Sequence, residues 1–174
     1  MVLQVGNHDI VRTTEPQPDL PQDIKGMFPA NVMFVPNPVW LDIHGVTFLT
    51  YHGRSIDDFV TSCPGVTYQK PLEAMRLMLD MRHLSPVYGG KTPIAPGPCD
   101  SMVIDPVPDV FVTGHVHSWG VENYRGTILI NASTWQSQTD FQLLMNFDPM
   151  PARATVLNLQ TMRPRLLNFM DVEA

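Results

Sequence analysis

Three short loops in this 174-residue chain combine glycine with imidazole: Gly6-Asn7-His8-Asp9, Tyr51-His52-Gly53-Arg54 and Gly114-His115-Val116-His117. They hold four of the six histidines. Neutral imidazole is a common metal ligand near pH 7, and Asn7 adds a carbonyl oxygen. A nitrogen and oxygen donor set without thiolate suits Mn, Fe or Zn, and Mg less well. In an extended segment residues i and i+2 point the same way. His115 and His117 are therefore expected to reach one point beyond a strand end, with Gly114 leaving room for close approach. A single His-x-His is equally compatible with two polar loop residues. The recurrence of the pattern after three apolar runs is what favours a site.

The elements that must carry these loops follow from the apolar runs. Val2–Val5, Val32–Val35, Val39–Ile43, Val46–Tyr51 and Asp109–Val112 read as strands. His44-Gly45 and Arg125-Gly126 read as hairpin turns, the latter between 119–124 and 127–131. A last hairpin is expected from 153–159 and 164–169. Helices are expected from Asp19 or Pro21 to Phe28, from Ser55 to about Thr61, and from Lys70 to about His83. Ser55 with Asp58 has the spacing of a capping box. Residues 84–100 form a long loop rich in Pro and Gly. The pattern is α/β with hairpins, as two sheets or one mixed sheet flanked by helices.

Hydrophobic residues make up 44% of the chain, enough for one domain with a sizeable core. A net charge of −6 and a pI near 5.3 argue against a freestanding duplex-DNA binder. They do not exclude phosphate substrates, because divalent cations reverse the local field. No apolar run spans a membrane and the N-terminus lacks the pattern of a signal peptide. Cys63 and Cys99 lie far apart and read as free thiols. A cytoplasmic location follows as the expectation.

The three loops resemble the later motifs of the calcineurin-like metallophosphoesterases: Gly-Asn-His-Asp, a His-bearing strand end, then Gly-His-x-His. The stretches between them resemble more specifically the small subunit of archaeal family D DNA polymerase. Those stretches are Arg12 with Glu15-Pro16-Gln17-Pro18, Tyr51-His52-Gly53-Arg54-Ser55, Tyr88 to Pro96, and Thr134-Trp135-Gln136-Ser137-Gln138-Thr139. The resemblance spans roughly residues 5–169. It implies a sandwich of mixed β-sheets flanked by helices and a metal-dependent 3′-5′ proofreading exonuclease. The implied partners are the polymerase's large catalytic subunit and a DNA 3′ end.

It also implies roles. Asn7, His52 and His115 bind one divalent ion and His117 the other, with Mn first and Fe, Zn or Mg as alternatives. His8 is the general acid, held by Asp9, in hydrolysis of a DNA phosphodiester by metal-activated hydroxide. Arg12 and Arg54 are candidates for phosphate contact. The family's upstream motifs, Asp-x-His and Gly-Asp-x-x-Asp, do not precede Gly6. Asp42-Ile43-His44 spells the first of them, but after the loop it should precede and beside a turn, so it reads as a coincidence. The chain is therefore expected to be the C-terminal part of the phosphoesterase domain, incomplete at the N-terminus and without the oligonucleotide-binding domain. Without a bridging carboxylate, two close cations repel. At most one well-bound ion is expected, with weak or no activity in isolation, and with apolar surface left exposed.

Other residues have plainer readings. His44 and His83 suit surface or capping roles. Met75, Met78 and Met81 suit helix packing. Asp57 and Asp58 suit the N-terminal charge preference of a helix. Trp135 and Phe141 could stack bases but more commonly serve a core or a subunit interface. The loop 84–100 and the segment 134–142 are candidates for the large-subunit contact. Two other functional readings compete: a non-catalytic scaffold subunit of a replicative polymerase, and a phosphoesterase acting on nucleotides or phosphoproteins.

Overall fold

The structure, a computed structural model, describes residues 1–144 and 146–170. Val2–Gln4 (β1) pairs in parallel with Met33–Val35 (β2), and the short helix Gln22–Lys25 (α1) lies between them in sequence. Helix α1 is shorter than its apolar pattern predicts: Met27 and Phe28 fall beyond its end. Val39–Ile43 (β3) and Val46–Thr50 (β4) form the expected hairpin. His44 and Gly45 both take positive φ, 54° and 81°, at its turn, the conformation a two-residue hairpin connection needs.

Ile56–Ser62 (α2) and Pro71–Met81 (α3) follow, then Val110–Thr113 (β5), Gly120–Tyr124 (β6) and Thr127–Asn131 (β7). Asp140–Leu144 (α4) is a short helix the sequence pattern did not reveal. Arg153–Asn158 (β8) and Arg163–Asn168 (β9) close the described chain as a hairpin.

One five-stranded mixed sheet organises the molecule, in the order β3-β4-β5-β7-β6. Its centre, β4, β5 and β7, is parallel. Antiparallel β3 and β6 form its edges. Side chains alternate across it as strand geometry requires. Leu49, Phe111 and Leu129 face α2 and α3, packing with Phe59, Met75 and Met78. Val110, Ile128 and Ile130 face the other way, packing with Leu157 and Met162 of the β8–β9 hairpin. Fully burying each such side chain contributes about 1.5–3 kcal/mol, so the sheet is held from both sides.

Two local expectations fail for physical reasons. The buried face of α3 is Pro71, Ala74, Met75, Met78 and Leu79. Its next member is Arg82, which ends the helix with φ 54°, so Met81 remains half exposed and does not pack with the other two methionines. Ser55 does cap α2 by position, but its hydroxyl donates to the Leu84 carbonyl. Asp58 meanwhile accepts the Lys91 and Thr92 amides at 2.5 and 3.1 Å. Both side chains fasten the 84–100 loop, so no capping box forms. His83 fastens it too, facing Asp100 at 2.9 Å and accepting the Ser85 amide. Cys63 and Cys99 are free thiols. No helix among the described residues is long and apolar enough to cross a membrane.

Candidate metal centre

Adjacent parallel strands deliver two of the loops together. β4 runs into His52 and β5 into His115, and the Gly114 amide donates to the His52 carbonyl at 3.0 Å. Gly53 turns the chain away with φ 102°, a conformation that favours glycine. The third loop arrives from β1, where Gln4 donates to the Thr50 carbonyl at 2.8 Å. Gly6 lies directly against the His52 ring: a Cβ there would come within 2.7 Å of it.

The result is a convergence on the Asn7 amide oxygen. It lies 2.6 Å from His52 Nε2 and 3.3 Å from His115 Nδ1, with the two rings edge to face at 5.1 Å. Donor atoms sharing one ion at ~2.1 Å stand about 3.0–3.4 Å apart in octahedral or tetrahedral geometry. The Asn7 to His115 spacing already fits, and the Asn7 to His52 spacing has the length of a direct hydrogen bond. Among the described residues, no three His, Cys, Asp or Glu side chains gather to form a metal group. The donors that do converge are the Asn7 amide oxygen and the His52 and His115 nitrogens.

Sequence reasoning missed one participant. Asp57, in the first turn of α2, places Oδ2 3.3 Å from His115 Nε2. Burial works to raise its carboxyl, but the hydrogen bond to His115, that ring's charge and the Tyr68 hydroxyl outweigh burial and hold it below the ordinary range. A carboxylate on the far nitrogen of a ligating imidazole is a recurrent feature of metal sites, because it fixes the tautomer and the ring. The signal available was the His52-to-Asp57 spacing, which puts Asp57 one turn past a site loop.

Burial and neighbouring charge disfavour the protonated forms of His52 and His117. His52 is pushed down to about 3, first by burial and then by the positive potential of His115, His8, His117 and Arg54. His117 is lowered by burial and by His115 and His8. Neutral imidazole is the form that binds a cation.

His115 and His117 do not converge in the way their spacing suggests. Both take positive φ, 68° and 52°, so the segment is not extended. This is a conformation more open to His than to most residues, and its strain is typical of functional loops. His115 faces Asn7 and Asp57, whereas His117 Nδ1 meets Gln142 Nε2 at 2.8 Å, on the residues that form α4. The His117 carbonyl accepts the Met150 amide.

His8 is exposed and has no hydrogen-bond partner among the described residues, yet its charge is felt at His52 and His117. Asp9 does not hold it. The Asp9 carboxylate instead accepts the Gly6 amide at 2.7 Å, closing the turn of its own loop. Arg12 donates to the Pro16 carbonyl and Arg54 to the Thr13 carbonyl, at 2.9 and 2.6 Å. Asp42 accepts the Gly45 amide within the hairpin, away from the other motifs in sequence and bonding. Trp135 is exposed and contacts the Phe169 ring at 5.4 Å. The Phe141 side chain lies outside the described residues.

A buried polar network underlies the site. Tyr51 donates to Glu15 at 2.7 Å and accepts the Ser55 amide. Asn37 donates to Gln17 and accepts the His52 amide at 2.7 Å. Gln17 donates to the Gly6 and Arg12 carbonyls, both at 3.1 Å. Glu15 is fully buried, and burial raises its carboxyl despite the hydrogen bonds from Tyr51 and Asn37. This network joins the backbone of the first loop to that of the second.

Comparison with known proteins gives a consistent affiliation. The family described as the DNA polymerase alpha/epsilon B-subunit matches residues 1–119. The DNA polymerase II small subunit of Archaeoglobus fulgidus is 48% identical over 156 residues, 90% of this chain and 32% of that protein. The Pyrococcus furiosus subunit is 44% identical over 172 residues, 97% of this chain and 28% of that one. The chain thus spans under a third of the length of these curated relatives. A solved archaeal phosphodiesterase superposes with a TM-score of 0.43 at 13% identity, over 95% of this chain and 67% of that one, a likeness too loose to build on. The match across all three site loops and up to Trp119 means that this chain belongs to the DNA polymerase alpha/epsilon B-subunit family, and over most of its length it is similar to archaeal DNA polymerase II small subunits.

Proposed function

We propose that the chain is the C-terminal part of the phosphoesterase domain of a family D replicative polymerase small subunit, a metal-dependent 3′-5′ proofreading exonuclease. Its partners are the large catalytic subunit and a DNA 3′ end, and its setting is the cytoplasm. The observation that supports this most is the convergence of Asn7, His52 and His115 from three separated loops, with Asp57 behind His115. The similarity to archaeal polymerase small subunits supplies the substrate class.

Asn7, His52 and His115 hold one divalent ion, Mn before Fe, Zn or Mg, and His117 belongs to a second in the complete domain. When bound, such ions supply Lewis acidity at a phosphoryl oxygen and lower the pKa of water. The protein's own groups do the rest. His8, exposed beside this cluster, protonates the leaving 3′-oxygen. Arg12 and Arg54 have guanidinium donors to spare beyond their carbonyl contacts and neutralise backbone phosphate. Asp57 sets the His115 ring. The chain by itself binds at most one ion well and turns over weakly or not at all.

In the full-length subunit with Mn²⁺, His8→Ala is expected to reduce exonuclease rate at least ~100-fold while calorimetry still registers bound metal. Loss of metal and of fold in that variant removes the role given to His8.

The scaffold reading has one observation in its favour: no three ionisable ligands form a metal group among the described residues. Metal bound by the wild-type full-length subunit without cleavage under any of the four ions decides for it.

A further inference from the structure

The outer face of the β8–β9 hairpin differs in charge from the rest of the molecule. The chain carries net −6, yet residues 149–170 contain three arginines and no acid. The register pairs Val156 with Arg165 and Asn158 with Arg163. Paired residues share a face, and alternate residues on one strand do too. Arg163 and Arg165 therefore lie on one face, with Leu167 and, by continuation, Phe169. The opposite face packs inward: Leu157 meets the sheet core, and Thr155 accepts the Trp119 indole N–H. Arg163, Arg165, Val156 and Phe169 are all exposed. Neither Arg163 nor Arg165 has a hydrogen-bond or ion-pair partner among the described residues.

An exposed aromatic pair completes this face. Trp135, 73% exposed, stands 5.4 Å from the 48% exposed Phe169 ring, tilted by 54°. Backbone bonds tie the pair to the metal-site loop. Met150 donates to the His117 carbonyl, Ala152 to the Thr134 carbonyl, and Phe169 to the Ala152 carbonyl. From Phe169 to the His117 contact the path is two lateral spacings plus the two-residue step from Ala152 to Met150, roughly 12 Å at most. Stacked nucleotides rise about 3.4 Å each, so this separation corresponds to roughly three nucleotides.

We propose that Trp135, Phe169, Arg163 and Arg165 form a binding platform for single-stranded DNA, which seats a strand whose end lies at the His117 side. Exposed rings offer flat faces to any base, and unpaired guanidinium groups meet successive phosphates. Charge complementarity favours this occupant: in an acidic molecule, residues 149–170 carry arginines and no acid, with aromatic rings at one end of the hairpin. The proposal deepens the exonuclease reading and rests on it for the strand's direction.

The test is fluorescence anisotropy of a 5′-labelled oligo(dT) of twelve nucleotides with the full-length subunit, metal-free and across a salt series. Trp135→Leu and Phe169→Leu are each expected to weaken binding about tenfold. Arg163→Gln with Arg165→Gln is expected to lower the slope of log affinity against log salt by about 1.4. Exposure of all four residues keeps these variants folded, checked by circular dichroism. Unchanged affinity and slope overturn the proposal. So does loss of large-subunit association with oligonucleotide binding intact, which makes the face a protein contact. Mn²⁺ calorimetry on the same samples separates the two readings. Platform-dependent binding without metal binding retains the platform and removes the exonuclease.

Discussion

His52 combines three demands on one side chain: its ring fills the space left by Gly6, its amide bonds Asn37, and its Nε2 faces Asn7. Its depressed proton affinity, about 3 against the ordinary 6.5, has a consequence for stability. The folded state resists protonating this ring, so its contribution is fully present above pH 6.5 and is lost as pH falls toward 3. The raised Glu15 carboxyl acts in the opposite sense, with stability lost as pH rises above 4.5. Comparing the wild type with His52→Gln cancels that second effect. Urea unfolding is expected to lose more free energy between pH 7 and pH 5 in the wild type than in His52→Gln. Equal losses count against the assignment. Asp57 makes a separate prediction. If it orients His115, Asp57→Asn weakens Mn²⁺ binding by ~10–100-fold while the metal-free melting temperature moves little. Unchanged affinity in calorimetry removes the role.

At the scale of elements, the site depends on β4 and β5 being adjacent and parallel, with their ends joined through Gly114 and His52. The polar network based on Tyr51 then couples that pair to the 15–17 segment. Tyr51→Phe leaves the Glu15 carboxyl without its hydroxyl donor and the Ser55 amide without its acceptor, both buried. A cost of about 1–3 kcal/mol is expected, read as a lower urea midpoint with unchanged slope. No change in midpoint means the network does not carry the loops. Element length explains why α4 was missed in sequence. Five residues, Asp140–Leu144, are too few for periodicity to register, and it is contacts such as Gln142 to His117 that tie them to the fold.

For the whole molecule, the main sheet is covered on both faces while the β1–β2 pair is not. Met27, Met33, Val2 and Phe28 are 76%, 60%, 45% and 43% exposed. A two-stranded ribbon of this kind is weak alone and presents unpaired edges. The chain is expected to associate with increasing concentration, measured by light scattering. Met27→Lys with Met33→Lys is expected to reduce this without lowering the melting temperature. A monomer at all concentrations contradicts the expectation of an apolar surface that needs cover.

The sequence by itself determined the strands and hairpins, because apolar runs and Gly-containing turns are local signals: β3 to β7 and the last hairpin fall close to where the residue pattern puts them. It also determined which donor types stand at strand ends, Asn7, His52 and His115 among them. Only the tertiary structure decided how they meet. His115 and His117 take positive φ next to a Gly114 that is bonded to His52, a backbone geometry no spacing rule encodes, and the two rings go to different partners. Asp57 reads as an ordinary first-turn acid until α2 packs beside β5. Glu15, Gln17 and Asn37 read as loop polarity until burial joins them under the site. Long-range packing, not local propensity, assigns those roles.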